Sequence, residues 1–316
     1  ADELAYGDIG YTVKLVNTNT NDTLASQGWT YTYPKIEFPK PYLCMAISPK
    51  SKGDEDKIAT GIAKLLEEDL TIRYENNAEN KQMCIYGLGE MHIDVITSKL
   101  KNRFGTTVTI SPAKVPYRET IKKKVQVEGK HKKQSGGHGQ YGHVKIEFSP
   151  GTTDGLEFTE TIFGGSVPKN FHPAVEKGLQ ESMAKGVLAG YPVIGIKANL
   201  FDGSYHDVDS SEMSFKLAAN LAFKEGMKQG GAVLLEPVGE LRVSIPTSYS
   251  GDIMGDISKR RGRIMGMSES GRKGFTVIEA EVPSAEMGTY AIQLRAMTQG
   301  RGSYSFNFVR YEEAPA

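Results

Sequence analysis

The sequence predicts an α+β multidomain fold, because the element order β-α-β-β-α-β can be read twice along the chain, on either side of a mixed middle segment. That order is the split unit of ferredoxin-like folds. The chain has 316 residues, 39% hydrophobic and 24% charged, which suits two or three globular domains. We therefore predict two ferredoxin-like domains flanking an elongated α+β domain, with a short β remnant at the N-terminus.

The first repeat begins after Pro39. It contains two amphipathic helices, over 54–68 and over 90–104, and Gly105 ends the second. The strands predicted around them cover 43–47, 70–74, 83–88 and 106–110. Apolar residues at helical spacing predict the buried faces: Ile58, Ile62, Leu65 and Leu66 in the first helix, and Met91, Val95, Ile96 and Leu100 in the second.

The elements of the second repeat and of the middle segment are predicted from the same periodicity. The repeat has predicted strands over 239–245, 263–267, 275–282 and 303–311, and helices over 251–260 and 284–298. The middle segment begins strand-rich and then has a helix over 173–185, a strand over 193–199 and a helix over 210–227, with Met213, Leu217 and Leu221 spaced for burial. The predicted domains are therefore 1–38, 39–114, 115–235 and 236–316, the first of them too short to be an independent β domain.

A glycine-rich loop at 134–143 is the most distinctive stretch of the chain. It reads Gln-Ser-Gly-Gly-His-Gly-Gln-Tyr-Gly-His, and Gly permits either a positive φ or a close approach of another group. Although the formal net charge of the chain is zero, residues 121–145 hold seven Lys against one Glu, a local charge of about +6. A glycine-rich tip on a basic stem predicts contact with a polyanion, and RNA suits it best.

The chain lacks the sequence patterns of a catalytic or metal site. A P-loop needs Gly-x4-Gly-Lys-Ser/Thr, but the Gly-Lys pair at 129–130 is followed by His131, and Lys124 occupies the first Gly position. No His-x3-His pair and no Gly-x-Ser-x-Gly elbow occurs, so we predict no catalytic residue, metal or cofactor here. Cys44 and Cys84 are expected to be reduced thiols of a cytoplasmic protein without a membrane segment.

A second loop, at 205–209, directly precedes the helix of 210–227. Asp209 and Glu212 fit a capping arrangement, in which an acceptor is followed three residues later by Glu. Tyr205 and His206 lie just ahead of this cap, near free helix amides that favour phosphate. His206 suits a specific contact or a stack, and an ordinary turn residue is the alternative.

Four cations cluster near the end of the helix over 251–260: Lys259, Arg260, Arg261 and Arg263. Cations at a helix C-terminus complement the helix dipole, which is the structural explanation. Four within five residues also suit an edge that contacts phosphate. On the last strand, Tyr304, Phe306 and Phe308 alternate, which favours core packing over a base-stacking platform.

Several long motifs together resemble bacterial elongation factor G. The motif Gly-Ser-Tyr-His-Asp-Val-Asp-Ser-Ser-Glu at 203–212 and residues 133–148 resemble its fourth domain. The motif Gly-Leu-Gly-Glu-Met-His-Ile-Asp at 87–94 resembles its third domain, and residues 251–262 and 283–290 its fifth. By this resemblance the segment 1–38 would be the end of the β-barrel second domain, and the GTPase domain is not expected in this chain.

The resemblance implies a ribosome-binding translation factor that promotes movement of tRNA and mRNA. In that family the fourth domain enters the decoding region, where its tip loops contact the tRNA–mRNA duplex. By position the tip loops are Ser135, Gly136, Gly137, His138, Gly139, Gln140, Tyr141, Tyr205, His206, Asp207, Val208 and Asp209. The fifth domain contacts rRNA, for which Lys259, Arg260, Arg261 and Arg263 are candidates. His138 stands where the family usually has Arg, which lowers the fixed charge of the tip.

The implied partners are both ribosomal subunits with their rRNA and the tRNA–mRNA duplex, without a membrane, and the chain is expected to be monomeric. GTP and Mg²⁺ would belong to the full-length parent, so this chain itself is not expected to be an enzyme. A paralogue for ribosome recycling and a ribosome-protection protein are the alternatives within the same class. An autonomous RNA-binding or scaffold protein is the alternative from another class.

Overall fold

In the computed structural model the chain divides into two compact units. One comprises Ala1–Lys114 and Gly288–Gly300, and the other comprises Val115–Met287 and Arg301–Ala316. The structure describes residues 3–77, 81–134, 137 and 139–315.

Residues 3–42 contain neither a strand nor a helix. The β-strands expected of the predicted remnant are therefore not formed within the described residues, and its assignment to a β-barrel domain stays a prediction. A strand satisfies its backbone N–H and C=O groups only by pairing with a neighbour, and an isolated strand or hairpin is at best marginally stable in water. None of the described strands pairs with this segment, so it contributes no ladder to any of the sheets.

The first unit contains the first ferredoxin-like sheet. The elements follow the predicted order: β1 (Leu43–Pro49), α1 (Glu55–Glu68), β2 (Arg73–Asn77), β3 (Gln82–Gly87), α2 (Glu90–Phe104) and β4 (Val108–Pro112). The strands are antiparallel in the order β2-β3-β1-β4, which confirms the fold predicted for this repeat. Helix α2 ends at Gly105, whose φ of 64° places it in the left-handed region.

The buried faces of the two helices in this unit agree only in part with the sequence pattern. In α1 the predicted Ile58, Ile62 and Leu65 are buried. In α2 the core residues are Ile93, Ile96 and Leu100, whereas the predicted Met91 and Val95 are exposed. Two apolar stripes run along α2, and the pattern alone does not show which of them faces the sheet.

The second unit begins with a mixed sheet covered by two helices. The elements up to the end of this region are β5 (Arg118–Ile121), β6 (Val125–Gln134), β7 (Gly139–Pro150), β8 (Leu156–Glu160), α3 (His172–Lys185), β9 (Ile196–Ser204) and α4 (Glu212–Gln229). Of these, β5 does not join the mixed sheet. The sheet order is β6-β7-β9-β8, with β8 parallel to β9. The core of this region includes Val144, Ile146 and Phe148 of β7 with Phe215 and Phe223 of α4.

Helix α4 buries a different face from the one that the sequence predicts. Its buried side carries Phe215, Ala218, Ala219, Ala222, Phe223, Gly226 and Met227. The predicted Met213 and Leu221 are instead 58% and 45% exposed. A Cβ on Gly226 would lie 2.4 Å from a ring carbon of Phe148, so the helix approaches the sheet closely at this point because Gly226 has no side chain.

The remaining elements form the second ferredoxin-like order. They are β10 (Ala232–Pro246), α5 (Ser250–Lys259), β11 (Arg263–Glu269), β12 (Phe275–Pro283), α6 (Tyr290–Thr298) and β13 (Ser303–Glu313). The strand order is β11-β12-β10-β13, the same topology as in the first repeat. The helix predicted over 284–298 is instead a 3₁₀ turn at Ser284–Glu286 followed by α6.

Strand β10 is longer than predicted and runs through the predicted boundary at 235/236. Its first residues, Ala232 to Leu235, pair with β5, and residues from Leu235 onward pair with β13. On β13, Tyr304 and Phe306 lie opposite the core residues Val243 and Leu241, as expected for core packing, whereas Phe308 is exposed.

Candidate nucleic-acid interface

The glycine-rich loop closes a β-hairpin. Strands β6 and β7 pair antiparallel with Gln134 opposite Gly139, so only residues 135–138 lie between them. Gly137 is exposed, and Gly139, Gln140 and Tyr141 open β7. Three predicted tip residues lie outside the described residues: Ser135, Gly136 and His138.

None of the described glycines of this hairpin adopts a positive φ, and Gly129 and Gly142 instead allow close approach. A Cβ on Gly142 would lie 2.3 Å from the carbonyl oxygen of Ser214, and one on Gly129 would lie 2.2 Å from that of Ala218. Both carbonyls belong to α4. The hairpin therefore lies directly on the helix backbone, and the stem below the tip is held against α4.

The second predicted loop connects the end of β9 to the start of α4. Tyr205, Asp207 and Val208 are exposed there. The predicted capping pair of Asp209 and Glu212 is wrong, because Ser211 is the N-cap and its Oγ accepts from the Ser214 amide at 3.2 Å. Asp209 precedes the cap and is free to bond elsewhere.

The structure brings the two predicted tip loops together. The Gly139 amide donates to Oδ1 of Asp209 at 2.9 Å, and the Tyr141 amide donates to the Asp209 carbonyl at 2.8 Å. Ser210 Oγ donates to the Tyr141 carbonyl at 2.9 Å, and Tyr141 and Ser210 form an isolated parallel bridge. Gly139 and Asp209 are 70 residues apart in the chain, and their loops thus form one hydrogen-bonded unit. Its described residues, 139–141 and 205–210, are called the joined tip.

His206 lies on the surface of the joined tip. Its ring centroid is 6.5 Å from that of Tyr141, in a tilted arrangement. The His206 amide donates to Ser210 Oγ at 2.9 Å, and its Nδ1 accepts from the amides of Val208 and Asp209. The side chain is 56% exposed, so the ring is held by the loop and remains accessible to a ligand.

A buried polar network supports the joined tip from below. Ser204 Oγ lies 2.7 Å from both Tyr141 OH and His143 Nδ1. His143 Nε2 lies 3.0 Å from Oε1 of Glu128, but the two atoms do not have the geometry of a hydrogen bond. Burial lowers the pKa of His143 below its ordinary value, despite the opposing effect of Glu128. No local sequence signal points to Ser204, because its role depends on strand pairing.

The basic stem is partly neutralised by neighbouring carboxylates. Lys124 pairs with Glu147 at 2.7 Å, and Lys145 pairs with Asp202 at 2.8 Å. The Lys145 ammonium and the Gly203 amide lower the pKa of Asp202 to about 2. Lys130, Lys132 and Lys133 lie exposed on β6, an edge strand of its sheet, without a carboxylate partner among the described residues. Edge-strand lysines also discourage pairing with other chains.

Three of the four cations near the end of α5 are held in intramolecular ion pairs. Arg260 is buried and its Nε bonds Asp256 at 2.9 Å, and Arg263 pairs with Glu281. Arg261 bonds both oxygens of Glu236 and one oxygen of Glu286. Lys259 is exposed and has no carboxylate partner in the described part of the chain. Of the four, Lys259 is therefore the cation most available to an external phosphate.

Family models match nearly the whole chain in three consecutive segments. Residues 38–112 match "Elongation Factor G, domain III", residues 113–231 match "Elongation factor G, domain IV", and residues 233–316 match "Elongation factor G C-terminus". The chain belongs to the elongation factor G family. The resemblance inferred from the tip-loop motifs is thereby confirmed.

A solved structure is similar to this chain over most of its length. The chain is similar to a crystallised protein from Thermus thermophilus, with a TM-score of 0.77 and 42% identity over 89% of this chain. The match spans 42% of that protein. The matched segments of this elongation factor G family member are domains III and IV and the C-terminus, and none of these is the family's GTPase domain.

In elongation factor G terms, the joined tip lies within the domain IV match and the cation cluster lies within the C-terminal match. In the described ranges no helix combines the length and apolarity that a membrane span requires. In those ranges also, no three His, Cys, Asp or Glu side chains converge as metal ligands would.

Proposed function

We propose that this chain is the ribosome-binding portion of an elongation factor G that promotes translocation of tRNA and mRNA. The joined tip would enter the decoding site behind the moving tRNA and oppose its return. The work of this portion is binding and steric displacement, whereas GTP and Mg²⁺ would act in the GTPase domain of the full-length protein. The partners would be rRNA of both subunits and the tRNA–mRNA duplex.

The observation that carries this proposal is the bonding of Asp209 to both Gly139 and Tyr141. A surface that opposes the return of a tRNA must keep its conformation when the tRNA presses against it. Two separate flexible loops would change conformation instead. Hydrogen bonds between the loops and the close packing of Gly142 on α4 oppose such a change. The exposed Tyr205, His206 and Val208 then form a small contact face.

Electrostatics supports an RNA partner for this end of the chain. The exposed Lys130, Lys132 and Lys133 are carried on the strand that leads to the joined tip. Phosphate contacts by Lys position a protein on RNA without reading its sequence, and their contribution falls with salt. Since the tip must accept every tRNA in turn, contacts of this sequence-independent kind suit the proposed task.

The test is His206→Ala in a full-length factor that carries this segment. We expect the translocation rate to fall while ribosome-stimulated GTP hydrolysis stays close to that of the unaltered protein. Asp154→Ala is the control, because Asp154 is an exposed residue in the turn between β7 and β8, at the other end of the strand that starts at the tip. Equal loss of both activities would contradict a tip role for His206.

The alternatives within the family are a factor for ribosome recycling and a ribosome-protection protein. Complementation of a strain depleted of its own translocase separates them. Growth rescue supports the translocase, and failure to rescue with normal expression supports a specialised paralogue.

A further inference from the structure

The ring of His206 has a defined hydrogen-bonding polarity. Its Nδ1 receives the amide of Asp209 at 3.2 Å and the amide of Val208 at 3.3 Å. A backbone N–H can only donate, so Nδ1 must be the acceptor. The neutral imidazole has one donor and one acceptor nitrogen, and its proton is therefore on Nε2.

The loop that supplies these amides is fixed by Asp209. Its Oδ1 accepts from Gly139 at 2.9 Å and its carbonyl accepts from Tyr141 at 2.8 Å, while its own amide donates to His206. One residue thus connects the hairpin to the imidazole. Oδ2 of Asp209 lies 3.5 Å from Nδ1, beyond the roughly 2.7–2.9 Å of a charge-assisted hydrogen bond, so the amide contacts dominate.

The other ring nitrogen is available to a ligand. No residue in the described ranges forms a hydrogen bond with Nε2, and the side chain is 56% exposed. The neighbouring Tyr141 ring has its centroid 6.5 Å away in a tilted arrangement, so it does not stack face to face on the imidazole.

We propose that His206 presents Nε2–H as a fixed hydrogen-bond donor to an acceptor oxygen of RNA, on a phosphate or a ribose, and that Asp209 is the positioning residue that holds it so. The identity of the ligand rests on the function proposed above, whereas the tautomer and the role of Asp209 do not. A preset donor loses little freedom on binding, so the contact forms without reorganising the loop.

The first experiment measures the tautomer in the chain itself. Histidine labelled with ¹⁵N in the ring gives distinct shifts for protonated and unprotonated nitrogens, and His206→Gln identifies the signals of residue 206 among the six histidines. We expect Nε2 protonated and Nδ1 unprotonated in the neutral ring. A proton on Nδ1, or rapid averaging of both forms, would overturn the inference.

The second experiment separates the two nitrogens by substitution. In His206→Gln the amide nitrogen takes the place of Nε2–H, whereas in His206→Asn the amide lies near Nδ1 and no donor reaches the ligand. We expect His206→Gln to translocate faster than His206→Asn by about tenfold, the effect of about one hydrogen bond. Equal translocation rates for the two variants would contradict the assignment of Nε2–H as the donor.

The third experiment tests Asp209 with a conservative variant. Asp209→Asn keeps an acceptor for the Gly139 amide, and we expect it to retain both translocation and the histidine tautomer. Asp209→Ala loses that acceptor, and we expect slower translocation with averaged His206 signals and unchanged signals from the other histidines. If Asp209→Asn fails as fully as Asp209→Ala, the positioning role is wrong.

These outcomes also distinguish the inference from the proposed function. If His206→Ala translocates normally, the proposed function of the tip fails even where the tautomer is as expected. If His206→Ala translocates slowly but His206→Gln and His206→Asn translocate at the same rate, the proposed function stands and the donor assignment fails.

Discussion

The Arg261 guanidinium binds both oxygens of the Glu236 carboxylate, at 2.6 and 2.9 Å. Glu236 is the more buried partner, with 5% of its side chain exposed against 37% for Arg261. Arg261 reaches it from a backbone with a φ of 59°, a left-handed conformation that favours Gly. The side-chain contacts thus offset an unfavourable backbone conformation.

Removal of this guanidinium should destabilise the protein. We expect Arg261→Ala to lower the free energy of unfolding by about 2 kcal/mol, less than the roughly 3–5 kcal/mol of a fully buried pair, because water reaches the arginine. Arg263→Ala is the matched control, since Glu281 keeps Arg310 as a partner and the loss should stay below about 1 kcal/mol. Urea unfolding measures both, and equal losses would contradict the burial argument.

Glu119 should make the loop at 187–191 dependent on pH. Its fully buried carboxylate accepts four backbone amides, from Val187, Leu188, Ala189 and Tyr191, at 2.7–3.1 Å. Burial alone would raise the pKa of Glu119, but the amide bonds outweigh burial and lower it. The carboxylate therefore contributes stability above the unfolded pKa of about 4.3, and this contribution is lost as the pH falls through the folded pKa.

The corresponding variant is Glu119→Gln. We expect it to destabilise the protein by about 2–4 kcal/mol at pH 7 and to weaken the dependence of stability on acid pH. Hydrogen exchange should show loss of protection at the four bonded amides. Glu269→Gln, at an exposed carboxylate on β11, serves as the control, and unchanged protection in Glu119→Gln would disprove the role of the carboxylate.

Gly142 should tolerate no side chain. We expect Gly142→Ala to destabilise the protein by about 1–3 kcal/mol, because its Cβ would lie 2.3 Å from the Ser214 carbonyl oxygen and neither backbone can move easily. Gly137→Ala is the control, since nothing lies within 4 Å of a Cβ there. Thermal unfolding measures the difference, and similar midpoints for the two variants would show that the hairpin does not depend on close packing.

His143 should make the stem below the tip weaker in mild acid. Its folded pKa is lowered, so the neutral ring contributes stability above the unfolded pKa of about 6.5, and this is lost as the pH falls through the folded pKa. We expect the urea midpoint of the unaltered protein to fall between pH 7 and pH 5 more than that of His143→Gln, which does not titrate. Parallel pH profiles would count against a buried, neutral His143.

The sequence predicted both β-α-β-β-α-β orders and the bounds of α2, because periodicity and a glycine stop are local signals. The sequence prediction was wrong where tertiary packing determines which side chains are buried. Met213 and Leu221 are exposed, whereas α4 places Ala218 and Ala222 against Gly129 of the hairpin, because this close approach excludes larger side chains at those positions. The β-strands expected in the N-terminal segment are absent from the described residues for a related reason, since a strand depends on a partner that its own residues do not specify.

At the candidate site, the sequence identified both loops, and the resemblance supplied their pairing. It assigned Asp209 to a helix cap, because a capping motif is local and a bond to Gly139 depends on the fold. Ser204 was missed because its two partners come from a different strand. The sequence overestimated the positive charge that the cation cluster offers to a ligand. No local pattern shows that Glu236 pairs with Arg261 or that Glu281 pairs with Arg263.

Strand β10 has a mechanical consequence for its unit. Each residue from Ala232 to Pro246 is paired across at least one neighbour, first with β5 and then with β13 or β12. A joint between two bodies needs unpaired residues whose dihedral angles can change. No residue within β10 is unpaired in this way, so β5 and the C-terminal strands should move together as one continuous sheet.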